Sequence, residues 1–315
     1  MTEQQLEQNV RLGKSDVWVP PMGTGCWQWG DRMFWGFGRG YSDNEVKESF
    51  DISLTSGINF FDTAEVYGNG TSERLLGMFA AQANQKLVIA TKFMPFPWRL
   101  LPSTLPHAME RSLKRLQMRK IDLYQIHMAM PPMPVQFWVK ELAGIVHRDL
   151  CSAVGVSNYN ASQTRRAAAV LAAEGIPLAS NQVEYSLLDR GIERNGTLDI
   201  CQELGVTVIA YSPLAKGVLT GKYTPENIPP GVRGRQYNPA YLRRVQPLIR
   251  LMRDIGHAHD GKSPAQVSLN WLICKGTIPI PGAKNGRQAK ENMGALGWRL
   301  TEDEVNALDE ASKDF

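Results

Sequence analysis

Eight short apolar runs, separated by helical patterns, set the strongest limit on what this chain can fold into. The runs cover residues 22–27, 59–64, 87–92, 122–127, 153–158, 180–185, 207–213 and 277–282. Each is strand-length, β-branched or aromatic in character, and bounded by Gly, Pro or polar residues. Helical patterns fall at 43–55, 73–83, 105–116, 136–146, 161–173, 197–204 and 264–275, and two more, 286–293 and 302–310, follow the last run. Ser42 with Glu45, Ser263 with Gln266 and Thr301 with Glu304 are spaced as capping boxes, and Pro264 suits a first helical position. An open doubly wound sheet usually stops at five or six strands, so this alternation predicts a closed parallel (β/α)8 TIM barrel.

Most run starts lie 27 to 37 residues apart, but residues 207 and 277 are separated by 70. That interval holds 217–223, a Pro/Gly-rich stretch at 225–241 and a helical pattern near 245–258. A long loop at the C-terminal face of a barrel shapes or covers the site. Residues 10–21 read as a small hairpin closing the barrel bottom. The 315 residues then form a single domain, 1–315, with long C-terminal-face loops.

Several function classes fall away on composition. No window of eighteen apolar residues exists, which argues against a membrane span. The formal net charge of +4 comes from 35 Lys and Arg scattered among 31 Asp and Glu, which points away from nucleic acid. The densest basic group, Arg111, Lys114, Arg115, Arg119 and Lys120, alternates with leucines as a solvated helix face does, with an anion-binding patch as the other reading. Cys26, Cys151, Cys201 and Cys274 are far apart, with neither zinc-ligand nor disulfide-framework spacing. Met1–Gln8 is polar and lacks the apolar region of a secretory signal, so a cytoplasmic location with reduced thiols is expected.

Catalytic groups in such a barrel come from the C-terminal strand ends. The second run leads into Asp62, Thr63, Ala64, Glu65, Val66 and Tyr67, the third ends at Lys92, and the fourth at His127. Singly, Asp62 reads equally as a helix cap, Tyr67 as a loop aromatic, Lys92 as a solvated charge and His127 as a core histidine. Together they put four titratable groups at one rim. A phenol with a pKa of about 10 is a poor proton donor near neutrality, and a lysine ammonium beside it, held by Asp62, is expected to lower that value. With His127 donating to the same oxygen, this is the equipment for reducing an aldehyde or ketone.

The glycines at 23 and 25, and those at 36, 38 and 40, lack the spacing and context of a Rossmann fingerprint. Later strand ends carry Ser157, Asn158, Gln182 and Tyr211, which suit a carboxamide and a flat ring. Gly282, Lys284 and Asn285 run into a helix start that could hold a phosphate, although turn and cap chemistry explains the glycine and asparagine equally well. Trp27, Trp29, Phe34, Trp35, Phe93, Met94, Trp98 and residues 128–133 are candidate linings of a soft aromatic substrate pocket, or packing at the barrel mouth.

From Met22 onward the sequence resembles the aldo-keto reductases. The resemblance rests on Phe61-Asp62-Thr63-Ala64-Glu65-x-Tyr67-Gly68, Thr91-Lys92, Asp122-Leu123-Tyr124-x-Ile126-His127, Gly155-Val156-Ser157-Asn158-Tyr159, Asn181-Gln182-x-Glu184-Tyr185, Tyr211-Ser212-Pro213-Leu214 and Pro281-Gly282-Ala283. It implies an NADPH-dependent oxidoreductase of the alcohol dehydrogenase (NADP+) type with the tetrad Asp62, Tyr67, Lys92 and His127, Tyr67 being the general acid. It further implies that Ser157, Asn158 and Gln182 hold the nicotinamide carboxamide and that Tyr211 stacks on the ring. Cys26, Trp27 and Asp62 border the same cofactor. Ser212, Pro213, Leu214, Ala215 and Lys216 line the pyrophosphate path, Lys222 and Arg233 clasp it, and Gly282, Lys284, Gln288, Glu291 and Asn292 receive the adenosine and its 2′-phosphate. Many members carry Lys-Ser and a later Arg in this last segment, where this chain has Gly282-Ala283 and Gln288, so NADPH preference leans on Lys284 with Arg233. That form, and the run from Gln288 to Trp298, resembles a branch holding channel β subunits and plant and cyanobacterial pyridoxal reductases.

The partner implied is a small-molecule carbonyl substrate, with a monomer and a homo-oligomer both open. An alternative is an NADP(H)-sensing regulatory protein like the potassium-channel β subunits. Those resemble this chain but carry Asn where it has His127, which favours the enzyme. A third reading, a barrel lyase forming a Schiff base on Lys92, fits the nicotinamide-site residues poorly.

Overall fold

A computed structural model describes residues 9–315, so the expectation for Met1–Gln8 lies outside the described residues. The chain begins with an antiparallel hairpin, β1 (Val10–Arg11) and β2 (Trp18–Val19). Eight parallel strands follow: β3 (Thr24–Gly25), β4 (Phe60–Asp62), β5 (Val88–Phe93), β6 (Ile121–Ile126), β7 (Cys151–Ser157), β8 (Leu178–Glu184), β9 (Thr207–Tyr211) and β10 (Ile278–Pro279). They pair in chain order, and the sheet closes on itself where Gly23 N–H donates to Pro279 O (3.0 Å) and Gly25 N–H to Pro281 O (3.1 Å). The fold is a (β/α)8 barrel. Its first and last strands are shorter than the sequence suggests. Pro279 and Pro281 have no N–H to donate, and the closing ladder is one-directional.

The helices between strands are α1 (Asp43–Thr55), α2 (Thr71–Ala80), α3 (Thr104–Leu116), α4 (Val135–His147), α5 (Ala161–Ala172), a single turn α6 (Gly191–Arg194) and α7 (Thr197–Leu204). Beyond β9 come α8 (Val232–Gln236), α9 (Pro239–Ala258) and α10 (Pro264–Cys274), and after β10 α11 (Gly286–Met293) and α12 (Glu302–Ser312). The three expected capping boxes form, and Asn160 with Gln163 makes a fourth at α5. The long interval between β9 and β10 yields an earlier helix start than read. Asn238 caps α9 by accepting the Tyr241 N–H at 3.0 Å, and Pro247 sits inside the helix. No helix among the described residues is long and apolar enough to cross a membrane.

Side-chain alternation divides each strand between two cores. Phe60, Val88, Ala90, Leu123, Ala153, Ala179, Ile209, Ile278 and Ile280 point inward and pack with Leu12, Val17 and Val19 of the hairpin, which plugs the bottom. Ile89, Phe93, Tyr124, Ile126, Val154 and Val156 belong to the larger layer between barrel and helices. The basic group on α3 is not uniformly solvated. Arg115 reaches Glu73 at 2.5 Å, and Glu73 also accepts from Thr91 Oγ1 at 2.6 Å, so this arginine anchors α3 to α2 and β5.

Candidate active site at the C-terminal mouth

The apolar floor ends one step below the catalytic candidates. Period-two alternation places Asp62 above Phe60, Lys92 above Ala90, and Gln125 then His127 above Leu123, all on the inward face. The polar layer thus follows from strand parity, and the mouth opens into a cavity of about 650 Å³. Asp62, Tyr67 and His127 line it, whereas Lys92 is fully buried behind them.

Lys92 Nζ donates to Asp62 Oδ1, to Thr63 O (2.8 Å) and to Tyr67 Oη (3.4 Å). Its three protons are therefore spent, and it has no free position for a substrate carbonyl. The Schiff-base reading fails on that geometry. Asp62 Oδ2 accepts from Gln182 Nε2 (2.8 Å) and Gln125 Nε2 (3.2 Å), so both carboxylate oxygens are fixed. Gln125 was not singled out from sequence. An inward amide in an otherwise apolar buried strand was the available signal. Tyr67 sits on a tight turn where Gly68 and Gly70 take positive φ, and a side chain at Gly68 would meet the Gly30 carbonyl at 2.5 Å. The Tyr67 ring meets the edge of His127, with centroids 5.8 Å apart.

Charge states follow from burial. Desolvation raises the Tyr67 phenol above its ordinary value, against the pull of Lys92, because Asp62 neutralises much of the ammonium's field. The expected lowering by lysine is thus outweighed, and the phenol holds its proton at neutral pH. Lys92 itself is pulled down by burial but raised on balance by Asp62 and Tyr67, so it stays charged. His127 is depressed to about 3, first by burial and then by Lys92, and is a neutral imidazole. Its Nδ1 has no partner.

The cavity runs from this cluster to a cationic end. Cys26, Trp27, Ser157, Asn158, Gln182, Tyr211, Ser212, Pro213, Leu214, Lys216, Lys222, Arg233, Gly282, Lys284, Gln288, Glu291 and Asn292 all line it. Ala215 does not. It is buried in the turn Ala215–Thr220 with positive φ. Gln28, Trp35, Met128, Gly217, Tyr223 and Arg287 also line the cavity. Arg287 is solvent-exposed on α11 and reaches the cavity at its rim, a place that residue type alone does not give. Tyr211 Oη donates to Asn158 Oδ1 (2.8 Å), while Asn158 Nδ2 donates to His127 O (3.1 Å), so these amide-end residues brace one another. Asn285 Oδ1 caps α11 at the Gln288 N–H (3.0 Å), as plain cap chemistry predicts.

The aromatic candidates divide. Trp27, Trp35 and Met128 face the cavity, and Phe34 stacks on Trp27 at 5.1 Å. Trp29 is core, fully buried on Phe61 and Phe79 with Nε1 donating to Ala283 O at 3.0 Å. Phe93 is likewise buried against Trp138, and Trp98, 72% exposed, stacks on Phe96 and does not line the cavity.

Two features test the fit of a dinucleotide phosphate. Lys216, Lys222, Arg233, Lys284 and Arg287 share one cavity, and Lys284 is lowered to about 8 by burial and by the repulsion of Arg233 and Lys222. Crowded cations of that kind fit a polyanion. The Gln28 Oε1, Trp35 Nε1 and His127 Nδ1 atoms, all buried on residues of this cavity, have no hydrogen-bond partner.

Residues 21–313 match the model of the aldo/keto reductase family. The chain belongs to the aldo/keto reductase family. It is 40% identical over 321 residues to a chloroplastic pyridoxal reductase from Arabidopsis thaliana, covering 98% of this chain and 86% of that protein. An aldo-keto reductase from Schizosaccharomyces pombe whose name specifies NADP(+) is 33% identical over 312 residues, 93% of this chain and 88% of that one. Among solved structures, a glycerol dehydrogenase from Gluconobacter oxydans superposes with a TM-score of 0.86 at 27% identity, covering 96% and 94% of the two chains. This aldo/keto reductase is an oxidoreductase of a family that generally uses NADP(H) and small-molecule carbonyl compounds.

Proposed function

We propose that this aldo/keto reductase reduces aldehydes and ketones to alcohols with NADPH, Tyr67 acting as general acid. The observation that carries the reading is the convergence of Asp62, Lys92, Tyr67 and His127 at one end of a cavity whose other end is cationic. NADPH, when bound, supplies the hydride that reduces the carbonyl carbon. The chain's own residues handle the proton and the charge. Tyr67, kept protonated by burial, donates its proton to the carbonyl oxygen. The phenolate left behind is met by the Lys92 ammonium 3.4 Å away, which Asp62 keeps charged and aimed. Neutral His127 polarises the same oxygen as a hydrogen-bond donor. Ser157, Asn158 and Gln182 hold the carboxamide, Tyr211 the ring face, and Lys216, Lys222 and Arg233 the pyrophosphate. Lys284 with Arg287 takes the 2′-phosphate, which supplies the charge contact that Gly282-Ala283 and Gln288 lack. The whole chain, 1–315, is taken as one domain, and its four cysteines are free thiols.

The direct test mixes the protein with NADPH and a panel of aromatic and short-chain aldehydes. Loss of the reduced-nicotinamide absorbance is expected, and its absence with every aldehyde across the pH range sinks the reading. A second expectation concerns Lys284. An anion binds its protonated form, and the free amine titrates at about 8. Affinity for NADPH is therefore level below that pH and weakens above it, by at most about tenfold per pH unit for one proton. Fluorescence titration of NADPH at stepped pH reads this. A Lys284→Arg variant, charged throughout, is expected to flatten the curve, and an unchanged slope removes Lys284 from phosphate binding.

A further inference from the structure

Between the two ends of the cavity stands one side chain that belongs to neither. The loop from Asp31 to Phe37 is a tight strap. Asp31 Oδ1 accepts the N–H groups of Phe34 (2.7 Å) and Trp35 (3.1 Å), and Asp31 O accepts that of Phe37 (2.9 Å). This sets the Trp35 indole against two segments distant in sequence. Lys284 Nζ, from the loop after β10, lies 5.1 Å from the Trp35 ring and donates to Trp35 O at 2.7 Å. The Arg233 guanidinium, from the insertion after β9, lies 5.3 Å from the same ring. Two like charges are thus held together by one quadrupole, whose negative faces attract both.

The other contacts of Trp35 lead toward the chemistry. Its ring meets Trp27 edge-on at 5.5 Å and Phe34 at 4.9 Å, and Trp27 leans on Tyr67 at 6.1 Å. Trp27 and Trp35 are half-buried and line the cavity, so each is held by its neighbours rather than by a closed core. A shift of Lys284 or Arg233 toward an arriving phosphate would loosen their contacts with Trp35, the ring that touches the aromatic wall beside the acid.

We propose that Trp35 is a positioning residue through which occupation of the phosphate end sets the aromatic wall, Trp27 and Phe34, that receives a flat carbonyl substrate beside Tyr67. The inference rests on the reading that Arg233 and Lys284 take the phosphates of NADPH. It makes the affinity of the two ends mutually dependent without direct contact between their ligands, a coupling that must be reciprocal.

The experiment uses ligands that cannot touch each other. 2′-Phospho-ADP-ribose carries the phosphates without the nicotinamide, and benzyl alcohol, which lacks a carboxamide and is inert without an oxidised cofactor, serves as the aromatic probe of the substrate end. Calorimetry measures benzyl alcohol affinity with and without the phosphate compound, and the reverse. In the unaltered protein each ligand is expected to tighten the other by about fivefold. Trp35→Ala is expected to bring that factor to one, and Trp35→Phe, which keeps a ring in the same place, to restore part of it. Binding of both ligands with no mutual effect in the unaltered protein, or the same factor in Trp35→Ala, overturns the coupling alone. Failure of 2′-phospho-ADP-ribose to bind, or binding that Lys284→Ala leaves unchanged, overturns the phosphate-end assignment and the coupling with it.

Discussion

Replacing Tyr67 with phenylalanine is expected to lower kcat by about 10²- to 10⁴-fold, the usual contribution of a positioned general acid. The ring stays, so its packing against Trp27 and His127 is kept. Only the hydroxyl that accepts from Lys92 is lost, and Lys92 retains Asp62 and Thr63 O as acceptors. Stability should therefore change by no more than about 1 kcal/mol, the net value of one hydrogen bond. NADPH affinity, measured by fluorescence titration, should stay within about twofold, since the tyrosine hydroxyl faces the carbonyl and not the phosphates. Residual turnover has a physical source in neutral His127, which can still donate a hydrogen bond to the oxygen but, with its pKa depressed to about 3, carries no acidic proton at neutral pH to transfer. The unaltered enzyme adds a second check. Because burial holds the phenol above its ordinary value, the acid is protonated throughout neutral pH. The rate should stay level there with respect to this group and fall only as pH rises past the phenol's raised pKa. Turnover of the phenylalanine variant within tenfold of the parent would take the proton away from Tyr67.

What the sequence made legible here, and what it did not, divides along a physical line. Asp62, Lys92 and His127 could be placed at one rim because strand ends of a parallel barrel share a face and period-two alternation fixes which side chains point inward. The hairpin below the barrel was readable from its alternation and glycine. Tertiary context decided the rest. Trp29 and Trp35 lie six residues apart in one loop, yet one is core and the other lines the cavity. Only the folded chain brings Phe61, Phe79 and the Ala283 carbonyl to the Trp29 indole. Arg287 and Gln288 are neighbours on α11 and both line the cavity, the arginine from an exposed position that residue type alone does not connect with a site. Lysine beside tyrosine suggested a lowered phenol, but the sign depends on how completely both groups leave water, which no spacing reveals. The early start of α9 is a different case. Asn238-Pro239 is a cap followed by a first-turn proline, a signal hidden at the end of the Pro/Gly-rich stretch at 225–241.

The largest stability effect is expected at the ion pair that organises the site. Lys92 and Asp62 are 0% and 2% exposed, so removing either charge strands the other. Asp62→Asn leaves a buried ammonium with only neutral acceptors. It also turns an amide N–H₂ toward Lys92 or toward the Nε2 groups of Gln125 and Gln182, which are donors already. Lys92→Met leaves a buried carboxylate held by two amides and no cation. Each single change is expected to cost about 3–5 kcal/mol, the range for breaking a buried pair. The double variant Asp62→Asn/Lys92→Met removes both charges and should recover most of that loss, because a buried pair is often matched by neutral groups of similar volume. Catalysis should not recover with it, since the phenolate formed at Tyr67 has lost the ammonium that stabilised it. Urea unfolding curves of the parent, both singles and the double give the stability terms, and aldehyde turnover of the same four proteins gives the catalytic ones. A double variant no more stable than its singles would mean that the two charges do not depend on each other, and the account of why Lys92 stays charged would fall. Recovery of stability without recovery of turnover separates the two roles of the pair, one in holding the barrel mouth together and one in receiving the charge that Tyr67 leaves behind.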